Sequence, residues 1–142
     1  MSFRIRKATA ADVAGMHRLR KRVRENRLSI HTSITEKSYV RYIAAGSAWV
    51  AERDGGLSGF AAIDEAAASV WALFVDPEVE GTGVGRALHD TMLEWAREQG
   101  LPRLFLSTEE NSRAARFYKQ GGWTRTGVTP AGEVYFVRSL GV

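Results

Sequence analysis

The spacing of apolar residues changes several times along this chain, and each change marks an element. Phe3-Arg4-Ile5-Arg6 alternates as a first strand does. Thr9 with Asp12 has the spacing of a helix N-cap, and Val13, Met16, Leu19 and Val23 then return at helical intervals to about Glu25. Residues 26–34 break the pattern and read as a loop. Thr35 is placed to cap a second helix, which carries Tyr39, Val40 and Ile43 and is ended by Gly46. Residues 48–52 and 57–63 are strand-like, and Asp54-Gly55-Gly56 between them is a hairpin signal. An apolar run over 69–75 stops at Asp76-Pro77, and a long helix follows from Gly83 to about Gln99 with Val84, Leu88, Met92 and Trp95 on one face. A short strand over 104–107, a helix from Asn111 to Gly121, and two extended segments over 123–125 and 134–137 complete the chain.

The order is β-α-α-β-β-β-α-β-α-β, without repeat, linker or low-complexity tract. It predicts an α+β fold: a mixed, mostly antiparallel sheet flanked by helices, in one domain over residues 1–142. The helix from Gly83 is a crossover, so the strands ending near Val75 and Ser107 should run parallel.

The segment from Val75 to Leu88 carries the first chemistry. Gly81, Gly83 and Gly85 stand at alternate positions between a strand and a helix. Glycines let a backbone approach a ligand closely, and the unpaired N–H groups of a helix's first turn favour an anion. The dinucleotide fingerprint would need glycine where Arg86 stands, and a P-loop would need a closing Lys-Ser or Lys-Thr, which is absent. A plain glycine-rich turn is the alternative.

A second segment, Asn111-Ser112-Arg113-Ala114-Ala115-Arg116-Phe117-Tyr118-Lys119-Gln120-Gly121-Gly122-Trp123, lies about 25 residues beyond the first. Together the two segments resemble those of the GNAT superfamily of acyl-CoA-dependent N-acyltransferases, and the order of elements fits along nearly the whole chain. The resemblance implies that the parallel pair splays apart to make a groove for CoA. It implies pyrophosphate on the backbone of Gly81, Thr82, Gly83, Val84, Gly85 and Arg86, and a pantetheine arm paired with Phe74 and Val75. It also implies Asn111 as a hydrogen-bonding partner of that arm, with a helix N-cap as its plain alternative. Arg86, Arg116 and Lys119 are further candidates for phosphate contact. Glu80 departs from the family pattern, which has Gln or Arg there.

By the same resemblance the cosubstrate is acetyl-CoA, the acceptor is an amine, and Tyr118 protonates the leaving thiolate. The oxyanion would be held by a backbone N–H at Phe74 or Val75. A base is harder to assign, because Trp71 occupies the strand position where many relatives carry an acid. Glu52, Asp64, Glu109, Glu110 and His31 are the candidates, and Glu109, just after a strand that should end at the site, is chosen. The acceptor pocket is expected around residues 24–42, with Ser29, His31, Tyr39, Tyr42, Trp49 and Trp123 as its lining.

Composition narrows the partners. There are no cysteines, so thiolate chemistry and disulfides are excluded. No apolar run approaches the roughly 18 residues of a membrane span, no signal-peptide core is present, and a cytoplasmic location follows by default. No metal is implied. Net charge is +4, concentrated in Arg18, Arg20, Lys21, Arg22, Arg24 and Arg27. A solvated helix face accounts for that stripe better than nucleic acid does, since no aromatic residues interleave to stack bases. A homodimer is compatible with this reading, and a non-catalytic acyl-CoA sensor of the same fold is the alternative function.

Overall fold

The computed structural model describes residues 2–24 and 34–141, and the side chain of Arg24 lies outside that description. Seven strands form one sheet: β1 (Arg4–Lys7), β2 (Ala48–Arg53), β3 (Gly56–Asp64), β4 (Ser69–Val75), β5 (Arg103–Glu109), β6 (Thr124–Val128) and β7 (Glu133–Ser139). Their order across the sheet is β1-β2-β3-β4-β5-β7-β6, and every neighbouring pair is antiparallel except β4 and β5. Helices α1 (Val13–Arg24) and α2 (Lys37–Ala44) pack on one face, and α3 (Val84–Glu98) and α4 (Arg113–Gln120) on the other.

Because side chains alternate along a strand, β2 splits its residues between two cores. Trp49 and Ala51 face Leu88, Met92 and Trp95 of α3, while Ala48 and Val50 face Met16 and Leu19 of α1 and Tyr39 and Tyr42 of α2. Both faces of β2 and β3 are covered, so these strands read as continuous apolar runs. The stripe expected on α3 is the one buried: Val84, Leu88 and Met92 are sealed and Trp95 nearly so.

Several boundaries move. The Thr9–Asp12 pair does cap, with Thr9 N–H donating to Asp12 Oδ2 at 2.8 Å, but it opens a single 3-10 turn before α1. Asp12 also receives two bonds from Arg6 of β1, at 2.8 and 2.9 Å, which pin α1 to the sheet edge. Glu36, not Thr35, is the N-cap of α2; Thr35 contributes backbone instead, its carbonyl accepting from Ser38 N–H. The closing segments are longer than their apolar cores suggest. They make a hairpin in which β7, not β6, lies beside β5, and the Thr129 hydroxyl accepts from Ala131 and Glu133 N–H at its turn. Most of the expected loop over 26–34 falls outside the described residues.

Two irregularities position the site. Ala62 pairs with Ala72 and Ile63 with Val70, so Trp71 is the extra residue of a bulge in β4. The only residues pairing β4 with β5 are Ser69 and Phe105. From Val70 onward the two strands part, and the splay expected from the resemblance is present.

Candidate active site

The parting strands open into a cavity of about 520 Å³. One wall is Val70 to Val75 of β4; the other is Leu106, Ser107 and Thr108 of β5 with Ala114, Phe117 and Tyr118 of α4. Its floor is the loop into α3, through Glu80, Gly81, Gly83, Gly85 and Arg86. A second cavity, of about 590 Å³, lies between α1 and the β2–β3 hairpin. It is bordered by the ion-pair network of Arg6, Asp12 and Glu52, which ties β1 to its neighbours and occupies the start of α1.

The loop below β4 is built from short local bonds. Asp76 N–H bonds Ser58 O at 2.8 Å, and Asp76 Oδ1 accepts from Glu78 N–H at 2.9 Å, capping a 3-10 turn over Pro77–Val79. Val79 is buried and anchors the turn, and the Thr82 hydroxyl donates to Val79 O. Gly81 and Gly83 then take φ of +82° and +94°, the region that favours glycine. Gly83 is the N-cap of α3, and Ala87 N–H bonds its carbonyl at 3.0 Å. The N–H groups of Val84, Gly85 and Arg86 precede that first helical bond and have no acceptor within α3. A Cβ on Gly85 would sit 3.4 Å from Val75 Cγ2 and 3.7 Å from Phe117 Cε1, in the gap between β4 and α4.

Gly59 of β3 sets how close α3 comes. A Cβ there would lie 2.9 Å from both the Phe74 carbonyl and Leu88 Cδ1, and 3.1 Å from Val84 Cγ1. Its missing side chain lets the first turns of α3 rest on the sheet directly under the loop. This glycine was not singled out from the sequence; a glycine inside an apolar strand signals such a close approach.

Tyr118 is buried at the cavity wall, packed edge-on against Phe117 and Trp123 at centroid distances of 5.4 Å and near Phe136. Burial pushes its phenol well above the ordinary value, so it holds its proton throughout the physiological range. Trp123 is fixed by donating from Nε1 to His89 Nε2 at 2.9 Å. Since indole N–H can only donate, His89 Nε2 is unprotonated and Nδ1–H donates to Asp90 at 2.9 Å. Burial lowers the His89 pKa, partly opposed by Asp90.

Other expected site residues lie elsewhere. Asn111 does not line the cavity: it is exposed, with φ of +60°, and its carbonyl accepts from Arg116. Ser112 is the N-cap of α4, accepting from Ala115 N–H at 3.0 Å; Asn111 supplies the left-handed turn before it, which Asn tolerates better than most residues. Glu109 is exposed at the end of β5, opposite Glu133, and does not reach the cavity wall. Thr82, in the loop, and Val84, the buried first residue of α3, do not line the cavity. Glu52 is engaged by Arg4 and Arg6, Glu110 by Arg125, and Asp64 accepts from Ala67 N–H. His31 and Ser29 are outside the described residues. Trp49 and Trp123 belong to the core beneath α3 rather than to an acceptor pocket.

Glu80, the departure from the family pattern, is ion-paired with Arg113 of α4, and both line the cavity. The acid at the mouth is thus matched by a cation from the opposite wall. Of the basic stripe on α1, Arg22 is committed to Asp76, which braces the helix against the loop. Among the described residues no cluster of His, Cys, Asp and Glu could hold a metal ion, and no helix is long and apolar enough to cross a membrane.

A splayed strand pair over a glycine-capped helix terminus defines the class of acyl-CoA-binding acyltransferase folds. Comparison with known proteins agrees. The profile of the Acetyltransferase (GNAT) family matches residues 12–122, and the chain belongs to that family. A mycothiol acetyltransferase of Geodermatophilus obscurus is 38% identical over 84 residues, 58% of this chain and 26% of that protein. A peptidyl-lysine N-acetyltransferase of Escherichia coli is 44% identical over 57 residues, 39% of this chain and 35% of that one. The chain therefore spans only about a quarter to a third of the length of these relatives. The PaiA N-acetyltransferase of Thermoplasma acidophilum, solved in complex with coenzyme A, superposes with a TM-score of 0.77 at 17% identity, over 98% of this chain and 99% of that one.

Proposed function

We propose that this protein transfers an acetyl group from acetyl-CoA to an amine by direct attack in a ternary complex. The observation that carries this reading is the parting of β4 and β5 beyond Ser69, directly above the open N-terminus of α3 and beside Tyr118. CoA pyrophosphate takes the N–H groups from Gly81 to Arg86, with Arg86, and Arg113 once released from Glu80, close enough to add charge. The pantetheine arm lies along Phe74 and Val75 as an added strand would, and the acetyl carbonyl reaches the bulge at Trp71. Family membership and the coenzyme A complex of a structural neighbour support this placement.

The amine nitrogen attacks the thioester carbon, the oxyanion draws on a backbone N–H of β4, and collapse expels CoA thiolate. Tyr118 retains its proton and donates to the departing sulfur. Among the described residues the one carboxylate lining the cavity is that of Glu80, held by Arg113. The amine proton therefore leaves through water, with Glu109 as at most an accessory. Thiol release from acetyl-CoA over a panel of amines, beside calorimetric titration with acetyl-CoA, tests the proposal. CoA binding without turnover on any amine would make the protein an acyl-CoA-binding module instead; absence of CoA binding would remove both readings.

A further inference from the structure

Arg20 of α1 takes no part in the machinery above, yet its guanidinium lies in an unusual place. Its Cζ is 4.8 Å from the centroid of the Trp71 ring and 4.9 Å from that of Phe74, and both rings line the cavity. Its Nη1 is sealed from solvent and has no hydrogen-bond acceptor, the only such buried side-chain atom among the described residues. The nearby acids do not answer it: Asp76 is held by Arg22, and no ion pair joins Arg20 to Glu36 or Asp64 among the described residues. Of the adjacent phenols, Tyr39 lies within hydrogen-bonding reach of the guanidinium and also bonds His17 Nδ1 at 3.0 Å, and the Tyr42 ring stacks on Trp71 at 4.5 Å; neither supplies an acceptor to Nη1.

A buried cationic donor without an acceptor is destabilising by more than an ordinary unmade hydrogen bond. Stacking on two aromatic faces offsets part of this through the ring quadrupoles but satisfies no N–H. Arg20 itself stands behind the two rings, outside the lining residues; an anionic oxygen that reached it past the edge of Trp71 would take the missing bond at charge-assisted strength. Trp71 is the bulged residue at the point where the strands part, so a group beside it is a few bonds from the carbon under attack.

We propose that Arg20 is the receptor for a carboxylate on the acceptor, and that the acceptor is a small amino acid whose carboxylate lies within a few bonds of its amine. This rests on the acetyl-transfer reading and adds the substrate class. Guanidinium stacked on Trp71 fixes the carboxylate, and the amine is thereby aimed along β4 toward the thioester. A lysine side chain within a peptide carries no carboxylate at that distance and would leave Nη1 unpaired.

The test has a kinetic and a binding arm. Thiol release from saturating acetyl-CoA is measured for free amino acids, their primary amides and a lysine-containing peptide, with rates referred to the neutral amine. Wild type is expected to favour the best carboxylate over its amide by at least about tenfold in kcat/KM. Arg20→Gln should bring that ratio near one, chiefly by raising KM, with acetyl-CoA affinity unchanged. Arg20→Lys keeps charge without the planar stack and should raise KM severalfold; it substitutes for the Gln variant if that one does not fold. In the binding arm, N-acetyl amino acids and their amides are titrated while tryptophan emission is followed, because Trp71 lies under the guanidinium. Only the acids should shift emission, and only while Arg20 is present.

Equal rates for acid and amide, a preference for the peptide, or an acid preference that survives Arg20→Gln would overturn the proposal. If no amine is acetylated but N-acetyl acids still bind through Arg20, the receptor role stands and the transfer reading falls.

Discussion

Tyr118 sits among Phe117, Trp123 and Phe136 at the edge of the cavity, where burial keeps its phenol neutral. Tyr118→Phe preserves those ring contacts and removes only the hydroxyl. Steady-state kinetics should show turnover lowered by about 10²–10⁴-fold with CoA affinity little changed; wild-type turnover would assign the ring to packing alone. His89 governs a different property. Burial depresses its pKa below the ordinary 6.5, so below that value the unfolded chain binds a proton the folded chain resists. The associated stability is complete above about pH 6.5 and lost as pH falls through the folded-state value. His17 of α1, lowered first by burial and then by Lys21, acts in the same sense. Thermal melts should therefore fall between pH 7 and 5. His89→Gln, whose carbonyl can still accept from Trp123, should flatten part of that fall.

The strand–loop–α3 unit depends on two glycines with separate duties. At Gly59 an added methyl meets backbone and two packed side chains, so Gly59→Ala should destabilise the fold by about 1–3 kcal/mol in chemical denaturation. At Gly85 an added Cβ would touch only the side chains of Val75 and Phe117, so Gly85→Val should lower the midpoint less than Gly59→Ala does while filling the gap and weakening acetyl-CoA binding by calorimetry. A Gly85→Val protein that binds acetyl-CoA normally would remove the loop from the site. The difference was only partly legible in the chain. Alternating glycines before an amphipathic helix announced the loop, and Val84, Leu88, Met92 and Trp95 announced the buried face, because both are local patterns. Gly59 was hidden, since its constraint comes from α3, which follows far along the chain. That Asn111 and Glu109 lie outside the cavity lining has a related reason. Their neighbourhood is fixed by the turn from β5 into α4 and by the pairing of β5 with β7, which periodicity does not encode. At Trp71 the sequence shows only that an acid is absent; that its ring lies under Arg20 depends on the packing of α1 against β4.

For the whole molecule, the proposed transfer would be governed by acceptor protonation. An alkylamine of pKa about 10.4 is roughly one part in a thousand neutral at physiological pH, and Glu80, the carboxylate of the cavity, is engaged by Arg113. Turnover with such an amine should keep rising above pH 8, and Glu109→Gln should lower it less than about tenfold. A profile that levels near pH 7, with that step abolished by changing one of Glu52, Asp64, Glu109, Glu110 or His31, would identify a dedicated base instead.

The single pairing of Ser69 with Phe105 has one further consequence. A sheet normally hides or disarms its edges, because unpaired backbone recruits strands from other molecules and begins aggregation. Here an additional edge lies in the middle of the sheet, along β4 from Val70 to Val75, where ordinary defences such as charge or proline are absent. Its surroundings bound it: residues of β5 and α4 form the opposite wall of the cavity, and the loop into α3 its floor. In the proposed complex the amides of the pantetheine arm would take up that unpaired backbone and so cover the edge. The fold thus keeps a reactive seam open to its cosubstrate, which would close it in turn.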